Sequence, residues 1–160
     1  MFYTNSNREI SYFGFEDGEE IKRKHPDPSK AIQSLNDLFG LLLKAWSKET
    51  AYPSSQKDPN FNIDNDPTYG QCAITATLVY DLFGGSIHKV NVSGGGTHYF
   101  NRINGRYIDL TSDQFSLYGI PLSYEPNQKI SREYCGKNPN TLKRYKLLVK
   151  SVADEIARME

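Results

Sequence analysis

The sequence has only two cysteines, Cys72 and Cys135, and three histidines, His25, His88 and His98. None falls in CxxC, HxxxH or HExxH spacing, so neither a metal site nor a cofactor is expected. MFYTNSNREI has no apolar core of export type, which favours free thiols in a reducing compartment, and a cytoplasmic location is expected. Charge of one sign is also missing. Lys+Arg total 19 and Asp+Glu total 19, which leaves no global field to gather nucleic acid or an anionic membrane, so neither is an expected partner. The most apolar stretch, LFGLLLKAW, is far too short to span a bilayer. Tyrosines are frequent but lie along no basic stripe, so a base-stacking surface is not favoured.

The 160 residues amount to one domain with one core. Residues 1–25 read as an N-terminal extension in which ISYFGF (10–15) and IKRK form a short hairpin across EDGEE. HPDPS breaks the chain, and Asp27 or Ser29 can cap the next helix, with Pro28 near its first turn. Ile32, Leu35, Leu38, Phe39, Leu42 and Trp46 recur at spacings of three and four, which predicts an amphipathic helix over 29–47. Residues 51–70, with three prolines and many Ser, Asn and Asp, form a long loop. A second helix is expected over 71–83, stopped by Gly84 and Gly85. Strands are expected at 86–92, 97–103 and 106–110, the last two joined by the hairpin signal Asn104-Gly105. Residues 111–140 look irregular with one short strand. Thr141 can cap a last helix with Leu142, Tyr145, Leu148, Val149, Val152 and Ile156 on its buried face. Helices, an antiparallel sheet and a closing helix make the fold class α+β.

The hairpin permits a register argument. A two-residue loop at Asn104-Gly105 pairs Ile103 with Arg106, and the ladder runs back until Phe100 faces Asp109. His98 shares a face with Phe100, so Asp109 is its diagonal neighbour, roughly 7–8 Å away at the backbone. An imidazole and a carboxylate bridge that gap by a hydrogen bond. Cys72, at the head of the helix in YGQCAITATLVYDLFGG, supplies a nucleophile to such a dyad. Unpaired N–H groups and the helix dipole favour a thiolate there, and an imidazolium favours it further. Asp109 would hold the ring in one tautomer. The backbone N–H of Cys72 is a natural oxyanion donor, with the Gln71 amide a second candidate.

Each residue also has a structural account. A cysteine in an apolar helix is often packing filler, a histidine beside aromatics can be a satisfied sheet residue, and Asp109 can close a strand with an Asx turn. Taken together, the helix-start thiol and the register-matched pair favour a catalytic arrangement. Cys135 has no identifiable base and reads as structural. His25 and His88 read as surface residues, Lys143, Arg144, Lys146 and Lys150 as a solvated helix face, and Trp46 as core or a wall of the cleft.

The blocks KAWSKET (44–50), YGQCAITATLVYDLFGG (69–85), THYFNRING (97–105) and YIDLTSDQF (107–115) resemble the YunG family of small bacterial proteins. The collinear match covers about residues 29–155. It implies a papain-like or transglutaminase-like fold with Cys72 as nucleophile, His98 as general base and Asp109 as orienter. Gln71 and Asn101 lie within the matched blocks without an assigned role. Phe100 stands where the pattern suggests tryptophan. The reaction expected is acyl transfer on a peptide, protein or small amide, walled by residues 51–70 and 111–128 and passing through a thioester. A binding protein that keeps the scaffold without chemistry is the alternative, and a redox-sensing thiol a third.

Overall fold

The computed structural model describes residues 3–5, 8–14, 20–23, 30–93 and 95–160. Strands β1 (Tyr3–Asn5) and β2 (Arg8–Ile10) pair antiparallel in a small sheet of their own. This differs from the expected hairpin. Ile10 pairs with Tyr3, while Phe13 bridges Asp109 and Lys22 bridges Ser34. The two halves expected to meet each find partners elsewhere, because apolar Ile10 and Ile21 are both drawn into the main core. The breaker residues Asp27, Pro28 and Ser29, and His25 with them, lie outside the described residues.

Helix α1 (Leu35–Ala45) starts later than its apolar periodicity suggests. Ser34 is the N-cap, bonding Asp37 N while the Asp37 carboxylate reaches back to the Ser34 N–H. This reciprocal box satisfies two otherwise orphaned donors, so the helix begins there and Ile32 enters the core from an extended segment. A four-residue helix, α2 (Pro53–Gln56), punctuates the long loop after α1.

Helix α3 (Cys72–Phe83) is joined to β3 (Ser86–Asn91) by Gly84 and Gly85, at φ 79° and 76°. At Gly85 the helix passes so close to the sheet that a Cβ would lie 2.3 Å from the Arg102 carbonyl oxygen. β4 (Thr97–Ile103) and β5 (Arg106–Ile108) form the expected hairpin, with Ile103 opposite Arg106. Asn104 (φ 52°) and Gly105 (φ 77°) both take the left-handed conformation that a tight turn of this length demands.

The stretch 111–140 holds the one short strand expected there, β6 (Gln128–Ile130), and two short helices that were not expected, α4 (Asp113–Ser116) before it and α5 (Arg132–Gly136) after it. The main sheet is antiparallel in the order β5-β4-β3-β6. The last helix, α6 (Pro139–Met159), is capped by Asn138, whose side chain accepts from Asn140 N and Thr141 N. Pro139 suits the first helical position, which moves the cap from Thr141 to the asparagine before it. Leu148 and Val152 enter the core with α1 and α3, whereas Val149 is exposed. The architecture is α+β, an antiparallel four-stranded sheet with helices before and after it. Among the described residues no helix is long and apolar enough to cross a membrane.

The N-terminal segment is fastened to the end of β5. Phe13 exchanges two backbone hydrogen bonds with Asp109, its N–H also reaches Ser112 Oγ, and its ring stacks on Tyr124 at 4.5 Å between centroids. Five residues earlier, the Arg8 guanidinium grips both oxygens of Asp113 at 2.8 and 2.9 Å.

Candidate functional site

The register at Asn104-Gly105 brings His98 and Asp109 into contact. Nε2 of His98 lies 2.6 Å from Oδ2 of Asp109, and both side chains are 1% exposed. Asp109 is saturated with donors. Its Oδ1 accepts from the Thr111 N–H and hydroxyl, and its Oδ2 from the Tyr124 hydroxyl as well as from His98. A carboxylate held this way fixes the orientation of the imidazole, with a proton of the ring on Nε2. Phe115 packs edge-on against the ring at 4.6 Å. Burial of His98 opposes a charged ring. The charge and hydrogen bond of Asp109 outweigh it, with help from Cys72, and push the imidazole up to about 10. The hydroxyl of Tyr124 is pushed upward by its burial and by the same carboxylate, so it remains a donor.

Cys72 is the first residue of α3 and is partly exposed. Its side chain lies near enough to His98 to favour the protonated ring. Nδ1, the nitrogen that Asp109 leaves over, is buried and in no full hydrogen bond. Cys72 and His98 both line a cleft of about 860 Å³. Tyr52 and Tyr69 of the 51–70 loop wall one side, and Gln114, Phe115 and Ile120 another.

The other residues singled out in the sequence lie elsewhere. The amide of Gln71 is fully buried, accepting from the Thr50 hydroxyl at 2.8 Å and donating to the Ser47 carbonyl at 2.9 Å. Asn101 is turned toward α3, where its amide donates to the Ala76 carbonyl. Trp46 is core, with its indole N–H on Thr75 Oγ1. None of the three lines the cleft. Two surface expectations are corrected. His88 is buried between Ser86 and Asn127, one on each ring nitrogen, and it stacks on Phe100. Arg144 is 4% exposed, because its face of α6 turns toward the loop that carries Thr50. Cys135 sits in a short helix and lines the same cleft as Cys72. Burial pushes its thiol up, away from the thiolate. The Asx turn read at Asp109 is present, with the Thr111 N–H on Oδ1 at 3.0 Å. Tyr124 carries no motif that sequence reasoning picked out, arriving from a segment without periodicity.

Comparison with known proteins bears on this geometry. Residues 34–157 match the family described as YunG protein. The chain belongs to the YunG family. A YunG relative from Bacillus subtilis (strain 168), described as "Uncharacterized protein YunG", is 33% identical over 85 residues. That alignment takes in 53% of this chain and 64% of the relative, a little under two thirds of its length. No solved structure matches the chain. Cys72, His98, Asp109 and Tyr124 all fall inside the YunG match, while Arg8 and Phe13 fall outside it.

Proposed function

We propose that this YunG protein is a cysteine-dependent acyl-transfer enzyme of papain-like or transglutaminase-like type. The observation that carries the reading is the state of His98. One ring nitrogen is committed to a buried carboxylate, and the other is left free near a helix-start thiol in a shared cleft. In the reaction the thiol proton already rests on the imidazolium at Nδ1, and Sγ attacks the carbonyl carbon of an amide as the thiolate. The carbon–nitrogen bond breaks as the imidazolium returns the proton to the leaving amine, and a thioester remains. Water or a second amine then adds to the thioester with His98 acting again as base, and the thiol leaves. Asp109 holds the ring and stabilises its charge in each half. The N–H of Cys72, which has no intrahelical acceptor in the first turn, is directed at the developing oxyanion. The absence of a full Nδ1 hydrogen bond fits a nucleophile and base that close up as substrate arrives.

Alkylation by iodoacetamide near neutral pH tests this. Cys72 is expected to react about tenfold or more faster than Cys135, and His98→Gln to remove most of the difference. Turnover is tested by an electrophilic amide-mimic library, where labelling is lost in Cys72→Ala. Equal, slow alkylation of both thiols overturns the acyl-transfer reading in favour of a binding protein on the same scaffold.

A further inference from the structure

The cleft beside Cys72 has a sign. Among its described lining residues there is no aspartate or glutamate, whereas Lys137 and Arg144 are both present, in a chain whose formal charges balance. Arg144 is the unusual member. Arg8, Arg132 and Arg158 are more exposed and each pairs with a carboxylate. Arg144 is 4% exposed and is held by neutral groups alone. Its Nε donates to Asn140 Oδ1 at 2.7 Å, one Nη to the Thr50 carbonyl at 3.1 Å and the other to Thr141 Oγ1 at 3.4 Å. Those bonds use three of five N–H groups and leave one on each Nη. Burial opposes its charge and lowers its value, and only the negative charge of Cys72 and Tyr52 in their deprotonated forms acts in the other direction.

A buried cation without an anion is costly, and such a group is normally paired. Two helix N-termini add to the same field. Cys72 opens α3, and Asn138 and Thr141, which open α6, line the cleft with Arg144. The guanidinium is therefore pre-positioned, its geometry fixed by three neutral acceptors, with its missing counter-charge left to whatever enters.

We propose that Arg144 is the anchor for an anionic substrate, and that the cleft selects acyl donors carrying a carboxylate near the scissile carbonyl. The proposal deepens the acyl-transfer reading and rests on it for the word substrate, but anion binding at Arg144 is measurable by itself. Lys137 at the exposed rim draws the anion in, and Arg144 holds it.

Iodoacetate and iodoacetamide test the proposal because they differ mainly in charge. With either, Sγ displaces iodide from the methylene carbon. The ratio of their rates at Cys72, followed by mass spectrometry of the Cys72 peptide, is compared with the ratio for the same chain in denaturant. The native ratio is expected to exceed the denatured one about tenfold, to fall as salt screens the cleft, and to return to the denatured value in Arg144→Gln. If Arg144 serves only as a counter-charge to the thiolate, Arg144→Gln slows both reagents equally and the ratio does not move, which overturns the proposal. A native ratio no higher than the denatured one does the same without any variant. If Cys72 resists both reagents, the acyl-transfer reading fails separately. Anion binding is then read as a succinate-induced rise in Tm at fixed ionic strength, expected in the wild type and in Cys72→Ser and absent from Arg144→Gln. No rise overturns the assignment of Arg144.

Discussion

Tyr124 and His98 share one atom: both donate to Oδ2 of Asp109, at 2.8 and 2.6 Å. The carboxylate is therefore positioned from two sides, and the hydroxyl restrains the imidazole without touching it. Tyr124→Phe removes a hydrogen bond to a charged, buried acceptor. It is expected to cost about 1.5–3 kcal/mol in urea denaturation. Iodoacetamide labelling of Cys72 should slow less than in Asp109→Asn, which loses the ring's charged partner. Unchanged stability would show that Tyr124 is incidental to the carboxylate.

The His98 imidazole has its own signature in pH. Its folded value is raised from 6.5 to about 10. The stabilisation it brings is fully present below pH 6.5 and is lost as pH rises through about 10. Subtracting the stability curve of His98→Gln from that of the wild type isolates the effect. The difference should decline across that window by an amount on the order of 5 kcal/mol. A flat difference would mean that the ring is neutral in the folded protein.

Gln71 is expected to matter for architecture, one residue away from the nucleophile. Gln71→Ala leaves the Ser47 carbonyl and the Thr50 hydroxyl without their amide partner in a buried setting. A loss of about 2–3 kcal/mol is expected. Faster hydrogen exchange should be confined to the turn after α1 and the start of α3. Exchange that speeds up uniformly across the sheet would argue against this local role.

Gly84 and Gly85 provide a paired test. Both have positive φ, so an alanine costs roughly 1–2 kcal/mol at either. At Gly84 a Cβ meets nothing within 4 Å, but at Gly85 it lies 2.3 Å from backbone oxygen. Gly85→Ala is therefore expected to destabilise by at least about 3 kcal/mol and Gly84→Ala by only about 1–2 kcal/mol, read from thermal unfolding. Equal losses would refute close approach as the cause.

Much of the sheet was legible because its signals are local. Asn104-Gly105 set the hairpin register, and that register alone put His98 next to Asp109. The helix bearing Cys72 was bracketed by its apolar run and the glycine pair. Where sequence reasoning failed, distant partners decided the outcome. Ile10 and Ile21 left the expected hairpin for the core, and Ser34 started α1 later than periodicity suggested. Arg144 reads as one more charge in a basic helix face, and nothing in its neighbours announces Thr50, 94 positions earlier in the chain. His88 likewise took partners from a turn and a remote loop. The aromatic sheath around Asp109 was invisible for the same reason, since Tyr124 and Phe13 approach it from opposite ends of the chain.

The attachment of Phe13 to Asp109 makes the main chain that carries the carboxylate a joint between two stretches of backbone. One belongs to the YunG match and the other precedes it. With Arg8 clamped on Asp113 a few residues further along, the early segment works as a splint across the end of β5. Trimming the chain to its family boundaries would keep every residue of the proposed chemistry yet unbuckle the support beneath its acid member.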